Sequence, residues 1–160
     1  MINNVILLIT ALLATTHVLV ERKVMSKEQI IDLYLLYFLV GGVGVIGGIG
    51  FIGHVFFPNQ VARMIGWPLG SPFQLEVGFH DGAWALLGFL CLYIRGNFWM
   101  ATAIGWSFFM LGATYGHIKQ TILHGNFEPY NYGIILPDFL VPLILLTLLA
   151  LKYREHSLIR

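Results

Sequence analysis

The sequence predicts an all-α polytopic membrane protein with five transmembrane helices, the second to fifth forming a pseudo-twofold four-helix bundle. Three observations carry that expectation. Of the 160 residues, 58% are hydrophobic and only 11% charged, and the mean hydropathy is +0.78, well to the apolar side of soluble domains. Five stretches approach the roughly 20 apolar residues that a spanning helix needs. Gly-His closes the second and fourth stretches, and an acid stands near the start of the third and fifth. The spans use up the length, so residues 1–160 read as a single transmembrane domain.

The first span, about residues 2–20, has no basic residue ahead of its apolar run and is followed at once by Arg22 and Lys23. That is the reverse of a secretory signal's charge order, so it reads as a retained anchor. The second, about 30–57, is opened by "SKEQ" at 26–29, a capping box. Its "GGVGVIGGIG" at 41–50 lacks the strand context of a nucleotide-binding loop and reads as a packing surface for close helix approach. The third, about 73–94, is opened by "SPFQ", a second capping box with Pro72 at the first helical position. The fourth, about 98–123, ends in "LHGNFEPYNYG", a helix stop followed by turns. The fifth, about 134–151, carries Asp138 directly after Pro137.

Short-loop basic residues set the orientation in the cell membrane. With the N-terminus outside, the cytoplasmic side collects Arg22, Lys23, Lys27, Arg95, Lys152, Arg154 and Arg160, against Arg63 and Lys119 outside. The C-terminus is then cytoplasmic. A net charge of +1 with no basic stripe excludes a nucleic-acid partner, leaving the lipid bilayer as the expected one and self-association open. The single Cys91 permits no internal disulfide or thiolate cluster.

The repeated halves suggest chemistry. His54 precedes Glu76 by 22 residues and His117 precedes Asp138 by 21. Both halves run in the same direction, so a twofold along the membrane normal would gather two imidazoles and two carboxylates near the outer face. Such a set suits zinc, iron or manganese. His80, one turn after Glu76, offers a fifth ligand, and Asp81, turned about 100° further, a carboxylate to fix an imidazole tautomer.

Plainer readings stand beside this one. Gly50, Gly53, Ala113 and Gly116 serve close helix packing; His54 and His117 fit snorkelling or proton handling. Glu76 fits an ion pair with Arg63 or a helix N-terminus, and Asp138 a first-turn acid. Ser71, Pro72 and Gln74 need no role beyond the cap. His124, Asn126 and Glu128 read as solvated loop residues, His17 and His156 as snorkelling, and Trp67, Trp84, Trp99 and Trp106 as belt or lipid-facing residues. None of these removes the cost of an ionisable group inside a span, which marks function by default.

"IGWPLGSPFQLEVGF", the two Gly-His helix ends and "PDFLVPL" resemble a family of small bacterial and archaeal membrane proteins of unknown function, over about residues 40–150. The resemblance implies a four- or five-helix membrane fold and no assigned activity. His80 and Asp81 stand where that pattern has a small residue and an amide, which sets them apart from any shared site.

The leading expectation is a transition-metal site of His54, Glu76, His117 and Asp138, with His80 in reserve; an open coordination position would make the protein a membrane metalloenzyme. The alternatives are a redox protein with His54 and His117 as axial haem ligands or a quinone site, a small proton-coupled or metal transporter, and a structural subunit of a membrane complex. The orientation is directly testable. A reporter fused after Arg160 should be cytoplasmic and one inserted near Asn59 extracytoplasmic; the opposite pattern inverts the layer of histidines and acids.

Overall fold

The computed structural model describes the backbone of residues 2–158 and the side chains of residues 2–154. Arg160 and the His156 side chain therefore lie outside the described part. All regular structure among the described residues is helical. α1 (Ile2–Glu21) is followed by a turn, and α2 (Lys27–Tyr37) starts on the expected capping box: the Ser26 amide donates to Gln29 Oε1 at 2.7 Å, and the Gln29 amide to Ser26 Oγ at 3.2 Å. α2 continues without a break through a π-helical segment, Phe38–Val45, into α3 (Ile46–Phe56). Then come α4 (Pro58–Ile65), α5 (Phe73–Leu90), α6 (Asn97–His124), α7 (Pro129–Tyr132) and α8 (Ile135–Leu158).

Three of these helices, Ile2–Glu21, Lys27–Phe56 and Pro129–Arg154, are long and apolar enough to cross a bilayer, where the sequence expectation is five. The shortfall falls on α5 and α6. α5 carries Gln74, Glu76, His80 and Asp81, and α6 carries Ser107, Thr114, His117, Lys119 and Gln120, which dilute their apolar character. The outer faces of the helices remain apolar: Leu8, Leu12, Leu86, Phe108 and Ile122 are all exposed. An outward surface of this kind is consistent with a lipid surround.

The core forms where Leu35, Leu39 and Val43 meet Trp99, Ala103 and Trp106 of α6 and Val141 and Leu145 of α8. Trp99 and Trp106 are each only 2% exposed, so these two are core residues and not the lipid-facing ones expected. Trp99 Nε1 donates to the Cys91 carbonyl at 2.8 Å, which satisfies its polar end. At the opposite end of the molecule from α4, Lys152 pairs with Asp32.

The closest packing is between the segment 41–56 and α5, which run antiparallel. A methyl group on Gly88 would stand 2.6 Å from Gly44 Cα and 2.8 Å from the Leu39 carbonyl oxygen; one on Gly47 would stand 2.9 Å from the Asp81 carbonyl oxygen. These helices touch backbone to backbone, which only small residues allow. Gly41 and Gly42 instead make room for the side chains of Thr10 of α1 and Val141 of α8. The π-helical segment coincides with this glycine run, so the widened turn sits where three neighbours press on the backbone. A second close pair is α6 with α8; α3 and α5 meet this pair sparsely, whereas α2 and the π-helical segment, on the same continuous helix as α3, pack against it in the core.

The connection 58–72, which reads as a loop in the sequence, contains α4, an amphipathic helix burying Ala62 and Ile65. It stops at Gly66, whose φ of +81° is the left-handed conformation that glycine adopts without strain.

Gly88→Ala should destabilise the protein by about 1–3 kcal/mol, the usual range for overpacking. Gly112→Ala, where an added methyl meets nothing within 4 Å, should be neutral or stabilising by about 0.5–1 kcal/mol, because it removes backbone entropy from a helix interior. Thermal unfolding in detergent micelles checks both, and equal effects at the two sites would contradict the backbone contact.

Candidate functional site

A cavity of about 440 Å³ opens between α3, α5, α6 and α8. Each helix pair contributes one buried acid to its wall: Asp81 of α5, 9% exposed, and Asp138 of α8, 2% exposed. Asp81 owes its position to helix phase. The buried stripe of α5 is Gln74, Gly78, Asp81, Ala85 and Gly88, a three-and-four spacing that follows one helical face. Gly50 of α3 leaves the room that the carboxyl occupies, since a methyl there would lie 3.0 Å from Asp81 Cγ. Among the described residues, no hydrogen bond or ion pair reaches this carboxyl.

Asp138 has a neighbour. Its Oδ2 lies 4.0 Å from His117 Nε2, while His117 Nδ1 meets Asn131 Oδ1 at 2.9 Å. Asn131 is fully buried. Its amide nitrogen donates to the Asn126 carbonyl at 2.8 Å, to Thr121 Oγ1 at 2.9 Å and to the His117 carbonyl at 3.4 Å. Those acceptors leave only one amide orientation, with the Asn131 oxygen toward the imidazole. The proton on that side of the ring therefore sits on Nδ1, and Nε2 faces the acid and the cavity.

His54 repeats the arrangement in the other half: its Nδ1 meets Gln74 Oε1 at 2.6 Å. Gln74 is 2% exposed, and its Nε2 has no partner among the described residues. The recurring unit is thus an imidazole seated on a buried amide oxygen. Sequence reasoning missed both amides. Gln74 stands at the last position of an apparent capping box, and Asn131 lies in a turn-rich stretch. The box at 71–74 does not form: α5 has no side-chain cap, and Ser71 Oγ accepts only from the Phe73 amide, at 3.3 Å.

The remaining candidate ligands disperse. Glu76 is two residues from both Gln74 and Gly78 on α5, so it points away from the buried stripe; it is exposed and makes no ion pair with Arg63. His80 is exposed, accepts from Trp84 Nε1 at 3.1 Å and lies against Phe109 with ring centroids 4.1 Å apart. His54 is not part of the cavity wall. Among the described residues, no three of His, Cys, Asp and Glu are placed to hold one metal ion. The expected shell of His54, Glu76, His117, Asp138 and His80 is therefore not assembled, because the phase of α5 turns Asp81 inward and Glu76 outward.

Two further groups shape the cavity. Trp106 lines it, and its buried Nε1 has no partner among the described residues. Trp67 also lines it, 5.5 Å from Phe73 between ring centroids. The turn before Trp67 is held by Asn126, whose Nδ2 donates to the Ile65 carbonyl at 2.8 Å. Asn126 is therefore a tie between the two connecting segments, not the solvated loop residue expected.

Fold and cavity together define a class: all-helical proteins of membrane-spanning character with ionisable groups buried between helix pairs. The chain belongs to a family of unknown function (DUF6790), whose model matches residues 1–158. No curated protein and no solved structure matches it.

The amide seat has a measurable consequence. Asn131→Ala should destabilise by about 1–3 kcal/mol, because it strands the buried groups that the amide satisfies, whereas Glu76→Gln at the exposed position should change stability by about 0.5 kcal/mol or less. Imidazole nitrogen resonances should show the wild-type His117 proton on Nδ1, and the preference should be lost in Asn131→Ala. A wild-type ring protonated only on Nε2 would contradict the assigned orientation.

Proposed function

We propose that this protein is a small proton-coupled membrane carrier whose solute path is the cavity between α3–α5 and α6–α8. The observation that carries the reading is the placement of Asp81 and Asp138, one from each helix pair, in the wall of one shared cavity. Ionisable groups buried in a membrane protein are costly and recur along ion and proton paths. Tight packing within each pair and sparser contact across the cavity, with the core at α2 and the π-helical segment as the pivot, suits one pair rocking against the other around a fixed site. The pseudo-twofold reading of the sequence supports the same division, and the recurring imidazole–amide unit gives each half a related polar anchor.

In this reading His117 and Asp138 handle the proton. Asn131 holds His117 Nδ1, so only Nε2 is free to exchange a proton with the Asp138 carboxyl. The gap of 4.0 Å between Nε2 and Oδ2 exceeds a hydrogen bond; one intervening water or a small side-chain shift closes it. Asp81 is the acid left for the solute. With the N-terminus outside, as the basic residues favour, the cavity lies toward the outer face, on the side where α1, α5 and α8 begin.

A carrier exposes its site to both sides in turn, and a fixed pocket to one side at most. Replacing the lone Cys91 by Ser and Ala113, on the cavity wall, by Cys provides a single reporter thiol. In right-side-out and inside-out vesicles, a membrane-impermeant maleimide should label it from both sides, and Asp138→Asn should suppress labelling from one side several-fold. Labelling confined to one side in both backgrounds would leave a static pocket and refute the carrier.

A further inference from the structure

The carrier reading leaves the solute unnamed, and the inference here rests on that reading and specifies the solute's chemistry. The cavity's ionisable groups do not balance. His117 and Asp138 face each other and form one acid–base pair. Asp81 is 91% buried and has no hydrogen-bond or ion-pair partner among the described residues. Lys119 and His124 also line the cavity but are exposed, at its mouth. A buried carboxylate of this kind wants a cationic donor, and the wall supplies none beside it.

Much of the remaining wall is apolar. Trp106 lines the cavity and is 2% exposed, with its Nε1 closed off from solvent. Phe73, Val77, Phe109 and Met110 complete an apolar and aromatic wall, which suits a hydrocarbon or aryl body and favours a nearby cation. The volume of about 440 Å³ falls in the range of small-molecule sites.

Other occupants fit less well. An anion would face two acids. A neutral lipid would leave Asp81 without a counter-charge. Among the described residues no three His, Cys, Asp or Glu side chains are placed to hold one metal ion. We propose that the cavity binds an amphipathic amine, with its ammonium on Asp81 and its apolar body against the aromatic wall.

Two matched probes test the charge contact by calorimetric titration of the full chain in detergent micelles: N-aminoethylbenzamide and its uncharged hydroxyethyl counterpart. The aminoethyl compound should bind wild-type protein at least about tenfold tighter than the hydroxyethyl one, as expected for a charge-assisted bond to a buried acid. Asp81→Asn should abolish that ratio. Equal binding of charged and uncharged probes to the wild type, or no binding of either, overturns the proposal without reference to any variant. The two readings fail separately: two-sided labelling of the Ala113→Cys reporter without amine preference sinks the solute assignment alone, and amine preference with one-sided labelling sinks the carrier alone.

Discussion

The structure hangs on the backbone contact between the glycine run of residues 41–50 and α5. Glycine inside a helix costs about 1 kcal/mol relative to alanine, and this run places several of them in succession. Within a bilayer, lipid tails are as apolar as leucine, so helices associate through close packing and polar contacts more than through hydrophobic burial. Gly44 against Gly88 and Gly47 against the Asp81 carbonyl provide that packing. The same contact fixes the rotation of α5. Once Gly78, Ala85 and Gly88 face α3, Asp81 must share their face and Glu76 must oppose it.

A second consequence is electrostatic. Gly50 yields the volume that the Asp81 carboxyl fills, so packing and the buried acid are parts of one arrangement. Across the cavity the acid is held differently. Asp138 sits opposite an imidazole whose far nitrogen is tied to Asn131, which is in turn tied to Thr121 and to the Asn126 carbonyl. Buried polar networks of this kind impose a unique geometry when their members are satisfied. Asn126 extends the network to the Ile65 carbonyl, linking the His117 environment to the connection that carries Trp67. Motion of that connection and the setting of His117 are thereby mechanically joined.

Much of the fold was legible in the sequence, because hydropathy, the Ser26 capping box and the glycine run are local signals. The histidines at the ends of the second and fourth spans were legible for the same reason: each closes a helix next to glycine, and each imidazole meets a buried amide oxygen, Gln74 of α5 in one half and Asn131 of α7 in the other. The acid in the first half was misassigned because equal sequence spacing was given more weight than helical phase. The stripe Gly78, Ala85, Gly88 already contained the answer, since Asp81 lies three and four residues from its members and Glu76 does not. Gln74 and Asn131 carried no comparable signal, because an amide next to a cap or in a turn has a satisfactory local explanation. Trp99 and Trp106 went the same way: tryptophan near a span end suits an interface equally well, and only contacts distant in sequence bury these two. The number of apolar spans was overcounted because α5 and α6 carry polar residues on both faces, Gln74, Asp81, Ser107 and Thr114 inward and Glu76, His80 and Lys119 outward, and all of them lower the hydropathy of the span.

The two halves keep the imidazole–amide unit and divide its use. In the second half the imidazole reaches the cavity and stands before an acid. In the first half His54 lies outside the cavity wall, and the acid that enters the cavity comes from a different turn of α5 than the repeat spacing indicates. A symmetric site would place two equivalent acid–imidazole pairs around the cavity, each able to neutralise itself and neither needing an outside partner. The observed asymmetry leaves Asp138 beside an imidazole, 4.0 Å from His117 Nε2, and Asp81 with no hydrogen-bond or ion-pair partner among the described residues. In the proposed carrier a proton resides on the first and a solute cation on the second, within one cavity and without competing for one oxygen. Separation of the two roles onto different helix pairs also means that movement of one pair against the other changes the distance between the two charges, which is the physical requirement for coupling them.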